Sequence, residues 1–290
     1  MTISGIPPIK ELWSLFSSET HAALALLECG GLDQRTTCIC GQRMRLELDN
    51  YRWRCSYSAC RKVQSIRNGS FFSKSKLPLG SILMMGYLWI SRVPVSTAYQ
   101  IAGVSKETVS DYYQFYRQLV ADSLDEIDCR VGGPGVIVEI DESKFGKRKY
   151  NRGHRVEGVW IVGGIERTSE RKVFMCKVDS RDSETLKRVI SKYVLPGSII
   201  YSDMWKGYAN IERDLGMQHF TVNHSVEFVS EEGIHTNSIE GTWCGMKVLI
   251  PKRNRTKDID NHLWEYAWRK KNCQKLWEGL LEAFANVCYE

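Results

Sequence analysis

From Val136 to Ile165 the chain reads VIVEIDESKFGKRKYNRGHRVEGVWIVGGI, and this stretch narrows the folds open to it more than any other. Val136, Ile137, Val138 and Ile140 form a short β-branched run suited to a buried strand, which delivers Asp141 and Glu142 at its end. Carboxylates do not enter an apolar core uncompensated, so a strand ending in two of them points to a site at a sheet edge. Lys144, Lys147, Arg148, Lys149, Arg152 and Arg155 follow at once, a run of like charge that an anion lying against it would relieve. Acids beside a basic loop suit metal ions holding a phosphodiester. A strand end followed by a solvated turn is the plainer reading of the same segment.

The 290 residues suffice for one large domain or two to three small ones, and 11% aromatic with 26% charged residues is ordinary for a globular chain. The net charge of +6 is modest, but Lys and Arg bunch at 144 to 155, 247 to 257 and 269 to 271. Such patches matter more than the total for nucleic-acid binding. No signal-peptide pattern opens the chain, and its longest apolar run, Ile82 to Ile90 with Gly86 inside, is too short to span a bilayer. A soluble intracellular protein with no membrane partner is the expectation. In a reducing compartment ten cysteines are poor material for disulfides, so clustered ones read as metal ligands.

Residues 1 to 34 read as an N-terminal helical segment without evident chemistry. From 35 to 78, Cys38, Cys40, Cys55 and Cys60 bracket a hairpin pattern: Met44, Leu46 and Leu48 alternate, Asp49 and Asn50 turn, Tyr51 and Trp53 return. Two cysteine pairs at the base of a hairpin are the layout of a zinc ribbon, although one residue between the first pair and four between the second depart from its usual spacing. Buried cysteines without metal are the alternative. Phe71 and Phe72 among Arg61, Lys62, Arg67, Lys74 and Lys76 read as a basic, aromatic strip able to follow a DNA backbone, or as an exposed linker. Residues 79 to 127 read as helical. A break at Gly103 and a restart at Ser105 give the helix-turn-helix plan, with Lys106, Glu107, Ser110 and Asp111 near the groove. An ordinary helical bundle is the rival.

DCRVGGPG, residues 128 to 135, marks a joint. From 134 to 275 the pattern becomes mixed α/β: strands at 136–141, 157–165, 171–178, 198–202 and 217–222, and helices at 182–193, 206–214, 236–249 and about 260–271. Residues 276 to 290 read as a C-terminal helical tail. Asp141 ends the first strand, Asp203 ends SIIYSD, and Glu240 lies in the helix beginning near HTNSIEGTW. If the first and fourth strands pair in parallel, Asp141 and Asp203 emerge at one edge, and the Glu240 helix need only cross it. Such a trio suits two Mg²⁺ (or Mn²⁺) ions, which take a few carboxylate oxygens and substrate phosphate as ligands and drive an in-line displacement. Along the Glu240 helix, Cys244 and Lys247 share its face while Ile239, Trp243, Met246 and Ile250 form the packing face. Glu142, the neighbour of Asp141, points elsewhere.

VEIDES, YSDMWKGY, VNHS and HTNSIEGTW, with IPKRNRTK and EYAWRKKN, resemble the DDE transposases of the IS1016/IS1595 type, and most closely their eukaryotic relatives, the Merlin DNA transposons. The resemblance spans roughly residues 36 to 275 and rests on several motifs in fixed order. It implies an α/β ribonuclease-H-like catalytic domain, a mixed sheet flanked by helices, preceded by a zinc-ribbon-like module and a helix-turn-helix region. It further implies cut-and-paste transposition, with cleavage at transposon ends by water followed by strand transfer from the freed 3′-hydroxyl. Asp141, Asp203 and Glu240 match the metal-binding triad; Asn223 and His224 match VNHS, and His235 and Asn237 match HTN, all near the site. Transposon terminal inverted repeats and target DNA are the implied partners, handled by a homodimer or larger assembly, in the nucleus of a eukaryotic cell or otherwise in the cytoplasm on DNA. A catalytically silent DNA-binding regulator and a nuclease without strand transfer are the rival functions.

Overall fold

The computed structural model of the protein describes residues 5–34, 37–146, 158–222, 235–251, 254–255 and 259–289. Two compact units result, Met1–Ser123 with Asn272–Glu290, and Leu124–Lys271. The first contains α1 (Ile9–Ser17), α2 (Glu19–Glu28), an antiparallel sheet of β1 (Met44–Glu47), β2 (Arg52–Cys55) and β3 (Val63–Ser65), then α3 (Leu79–Ile90), α4 (Val95–Ala102) and α5 (Lys106–Asp122). The second runs β4 (Val131–Gly132), β5 (Ile137–Phe145), β6 (Val159–Glu166), β7 (Val173–Val178), α6 (Ser183–Tyr193), β8 (Val194–Leu195), β9 (Ile199–Asp203), α7 (Ile211–Leu215), β10 (Gln218–Val222), α8 (Asn237–Leu249) and α9 (Ile259–Lys271). The chain then returns to the first unit as α10 (Leu276–Asn286).

α3 is apolar all round, and Ile82, Leu83, Met85, Leu88 and Trp89 are buried because other helices of its unit surround it. The segment read as a C-terminal tail packs there: Gly86 of α3 leaves room for Leu280 of α10. α4 ends at Gly103, whose φ of 65° lies in the left-handed region, and the Ser105 side chain caps α5 by accepting the Thr108 N–H. In the basic, aromatic strip at 61–76, Arg61, Lys62, Lys74 and Lys76 are exposed, whereas the two aromatics and Arg67 are engaged within the unit. Phe72 is fully buried and Phe71 stacks on Tyr116, while Arg67 is committed to Glu19 and to the carbonyls of Ser75 and Leu77.

In the second unit the strand order is β10-β9-β5-β6-β7, with β5, β6 and β7 antiparallel and β5, β9 and β10 parallel. Each face carries its own core. Val138, Ile140, Val162 and Phe174 pack with Leu186 and Ile190 of α6 and Ile211 of α7, while Ile161, Ile165 and Met175 pack with Ile239, Trp243 and Met246 of α8 and Leu263 of α9. The strand expected to end at Asp141 runs on to Phe145, because β6 keeps pairing with it through Phe145 opposite Val159. The helix expected at 206–214 breaks into a 3₁₀ turn, Lys206–Tyr208, and the short α7; Gly207 lies so close to Leu186 and Trp205 that a Cβ there would clash. Among the described residues no helix is long and apolar enough to cross a membrane.

Candidate active site

β5 and β9 run parallel with Glu139 opposite Tyr201, and two residues further along the same register stand Asp141 and Asp203. Strand alternation turns both toward the face that α8 covers. Asp203 closes β9, where its Oδ1 accepts the Trp205 backbone N–H at 2.9 Å, a turn that fixes the carboxylate at the strand's end. α8 lies against this face because Ile239, Trp243 and Met246 recur at helical spacing and are buried. The Trp243 ring rides on Gly163, the residue opposite Asp141, where a Cβ would come within 2.5 Å of the ring. From there its Nε1 donates to Asp141 Oδ2 at 3.0 Å. Glu240, in the first turn of α8, accepts from Thr236 Oγ1 at 3.2 Å.

Burial pushes the Asp141 carboxyl up to about 6, and the neighbouring charges of Asp203 and Glu240 add to the rise, against lowering contributions from the Glu142 backbone and the Trp243 indole. Glu142 is pushed up to about 7, first by burial and then by Asp141 and Asp203. Its side chain takes the opposite face from Asp141, beside Tyr208, yet neither its Oε1 nor the Tyr208 hydroxyl finds a hydrogen bond of good geometry. The negative charges that help raise the Asp141 carboxyl would equally be offset by a divalent cation, and the donor set is all hard oxygen. Asp141, Asp203 and Glu240 are donors of the chemical kind that such an ion takes.

Glu139 was not singled out by sequence reasoning, though an acid inside a β-branched run was its signal. It is fully buried, and its Oε2 accepts the backbone N–H of Ser238 at 2.8 Å and of Ile239 at 3.1 Å, in the first turn of α8. Arg167 Nε donates to its Oε1 at 2.7 Å while Arg167 Nη2 donates to the His235 carbonyl at 2.7 Å, and the guanidinium lies over Tyr201. His235 Nδ1 stands 3.6 Å from Glu139. His235 thus belongs to the joint between β5 and α8, and Asn237 is the exposed first residue of α8.

Lys144 lies over the Trp160 ring and Lys247 over Phe145, both in the site's unit. Lys147, Arg148, Lys149, Arg152, Asn223 and His224 lie outside the described residues. In the other unit Lys106 and Ser110 are exposed on α5, as are Glu107 and Asp111. Cys38, Cys40, Cys55 and Cys60 converge there, with all four Sγ atoms within 4.8 Å of one another. Cys38 and Cys60 stand 3.8 Å apart, and Cys40 and Cys55 3.6 Å. Four thiolates around Zn²⁺ at about 2.3 Å would stand roughly 3.8 Å apart, so the quartet fits zinc. The short first spacing works because the chain doubles back after Cys38: the Cys38 N–H donates to the Gln42 carbonyl at 2.8 Å and the Gly41 N–H to the Cys38 carbonyl at 2.8 Å, with Gly41 at a φ of 82°. The Gln42 backbone also draws the Cys40 thiol down to about 7. Among the described residues these thiols are the set of three or more potential ligands drawn that tight; the carboxylates are more open.

Residues 131–270 match the family model of the ISXO2-like transposase domain. A transposase-like protein of Haemophilus influenzae, described as uncharacterized, is 30% identical over 105 residues, covering 36% of this chain and 84% of the relative.

Proposed function

Because the chain belongs to the ISXO2-like transposase family, we propose that it is a DNA transposase that cuts at the ends of its element and joins them to new DNA. The observation that carries this reading is the approach of Asp141, Asp203 and Glu240 from β5, β9 and α8 to one sheet edge. The five-stranded mixed sheet with helices on both faces supports a ribonuclease-H-like catalytic domain, and the motif order supports kinship with Merlin elements.

In this reading Asp141, Asp203 and Glu240 hold two divalent cations, which would supply Lewis acidity to the attacking and leaving oxygens of the phosphodiester. Trp243 fixes Asp141 through its indole N–H, and Glu139 fixes the helix bearing Glu240. Lys144 and Lys247 offer charge to the phosphates alongside. The exposed face of α5 with Lys106 and Ser110 reads the terminal repeats, steadied by a zinc-bearing ribbon at the four cysteines. Two ends must be held together, so a homodimer or larger assembly is the working form, nuclear in a eukaryotic cell.

The test is incubation with a donor end, target DNA and Mg²⁺, followed by sequencing of joined products. Asp203→Asn keeps an oxygen for the Trp205 N–H while weakening the metal ligand, so it should lose cleavage and joining but still bind ends. Cleavage without joining would leave a nuclease, and end binding without either reaction a regulator. An Asp203→Asn variant as active as the wild type would refute the site.

A further inference from the structure

Around the corner of the same sheet edge lies an arrangement that the carboxylates do not use. Arg181, in the loop between β7 and α6, holds its guanidinium carbon 3.7 Å from the centre of the Trp160 ring and 4.6 Å from that of Trp205. Lys144 lies over the same Trp160 ring at 5.3 Å. The Trp205 indole N–H donates to the Arg181 carbonyl at 3.3 Å, and its backbone N–H holds Asp203 at 2.9 Å. One residue thus ties the cation to the acid edge. All four residues are half-buried and keep some surface in solvent, so a ligand can reach them.

The guanidinium makes no hydrogen bond and no ion pair with any described residue, although Glu142 lies near enough to feel its charge. An arginine usually spends its planar donors on a carboxylate, as Arg167 does with Glu139. Here two indoles hold the group in place, and no described residue takes its in-plane N–H groups. A pre-ordered fork without an acceptor among the described residues suits an oxyanion taken two-pronged, and its ordering cost is already met by the stacking. A base has less to stack on, because the guanidinium itself occupies the indoles.

The geometry points to a phosphate seat, made of Arg181 on Trp160 and Trp205 with Lys144 beside it, that grips a DNA backbone phosphate next to the acid edge. This deepens the transposase reading and rests on it. The seat keeps the strand in register where the acids meet it, and Arg181 is a binding and positioning residue.

The test is equilibrium binding of the full chain, zinc-loaded and without Mg²⁺, to a mixed-sequence DNA duplex across a range of KCl concentrations. Loss of one phosphate contact lowers the slope of log affinity against log salt by roughly 0.9. Arg181→Ala should show that loss, and Arg181→Gln, which keeps a planar head on the indoles, should match it if the alanine variant folds poorly. Arg181→Lys should hold the slope. Lys172→Ala removes a charge at the opposite sheet edge, where β6 turns into β7 and Lys172 pairs with Glu170, and should leave the slope unchanged. An unchanged slope in Arg181→Gln, or an equal loss in Lys172→Ala, overturns the seat alone. Wild-type binding without salt dependence would overturn the transposase reading and the seat together.

Discussion

Glu139 and Ile239, a hundred residues apart, are joined by a hydrogen bond of 3.1 Å from the Ile239 backbone N–H to the Glu139 carboxylate, and the Ser238 N–H joins it at 2.8 Å. A strand side chain thereby caps the helix that carries Glu240. The arrangement answers two demands at once, since the buried carboxylate needs donors and the helix N-terminus needs acceptors. It also fixes how far Glu240 stands from Asp141, two residues beyond Glu139 on the same face of β5.

Glu139→Ala should therefore cost more than a contact. Removing it leaves the Arg167 Nε–H and two helix N–H groups without their acceptor, and breaking a buried ion pair typically costs about 3–5 kcal/mol. Glu139→Gln keeps one oxygen and should cost less. Urea unfolding would measure both losses. Strand transfer in Glu139→Gln, assayed where the variant is fully folded, should still fall, because α8 loses its register; activity equal to wild type would show that the cap serves stability alone.

Gly163 is the second point of leverage. A methyl group there would lie 2.5 Å from the Trp243 ring, and the Phe174 carbonyl closes the other direction, so Gly163→Ala must move the indole. Overpacking of this kind costs about 1–3 kcal/mol. Moving Trp243 also withdraws its N–H from Asp141, so activity should drop by more than the stability loss explains. Trp243→Phe removes the N–H and keeps an aromatic ring, though a smaller one, and the two variants should show similar activity losses with unequal unfolding midpoints.

The positions of the acids were legible from local patterns: Asp141 and Asp203 each follow a β-branched strand run, and Ile239, Trp243 and Met246 recur at helical spacing. So were the Ser105 cap and the cysteine quartet. Glu139 was hidden because its partners lie about a hundred residues away, and no local rule distinguishes a helix-capping strand acid from a misplaced one. The strip around Phe71 was legible only in part for a related reason: Arg61, Lys62, Lys74 and Lys76 are exposed as its pattern suggests, but Phe72 and Arg67 are spent on α10 and α2 partners, Phe284 and Glu19. β3, only three residues long, carries too little alternation to be read at all. Arg181 and its two indoles come from three separate segments and leave no motif.

Zinc should be found at one ion per chain by elemental analysis, held by Cys38, Cys40, Cys55 and Cys60. The sheet β1-β2-β3 is small, and a structural metal would contribute much of its stability. A strong chelator or Cys60→Ser should expose the Trp53 indole, which now donates to the Asp33 carbonyl, and weaken end binding while leaving the unfolding of the other unit unchanged. Absence of zinc from protein purified without chelator would contradict this.

The last prediction concerns pH and the charge on Asp141. Burial first, and then Asp203 and Glu240, raise its carboxyl from 3.8 to about 6 in the folded protein. The folded state therefore binds more protons than the unfolded state between these values, and the stability tied to this group is full below about pH 4 and lost as pH rises through 6. Asp141→Asn removes the ionisable group, keeps an acceptor for Trp243, and relieves Glu142 of a like charge. Without Mg²⁺ the variant should be more stable than wild type at pH 7.5, by at most about 3 kcal/mol for a shift of about two units, and the advantage should vanish at pH 4. Adding Mg²⁺ at pH 7.5 should narrow the gap, since an ion that binds only the folded state raises wild-type stability by mass action, and Asp141→Asn should respond much less. Thermal or urea unfolding at the two pH values, with and without Mg²⁺, measures every term. Equal Mg²⁺ stabilisation of both proteins would mean that Asp141 is not a ligand, and a variant less stable than wild type at pH 7.5 would mean that its charge is already compensated within the protein.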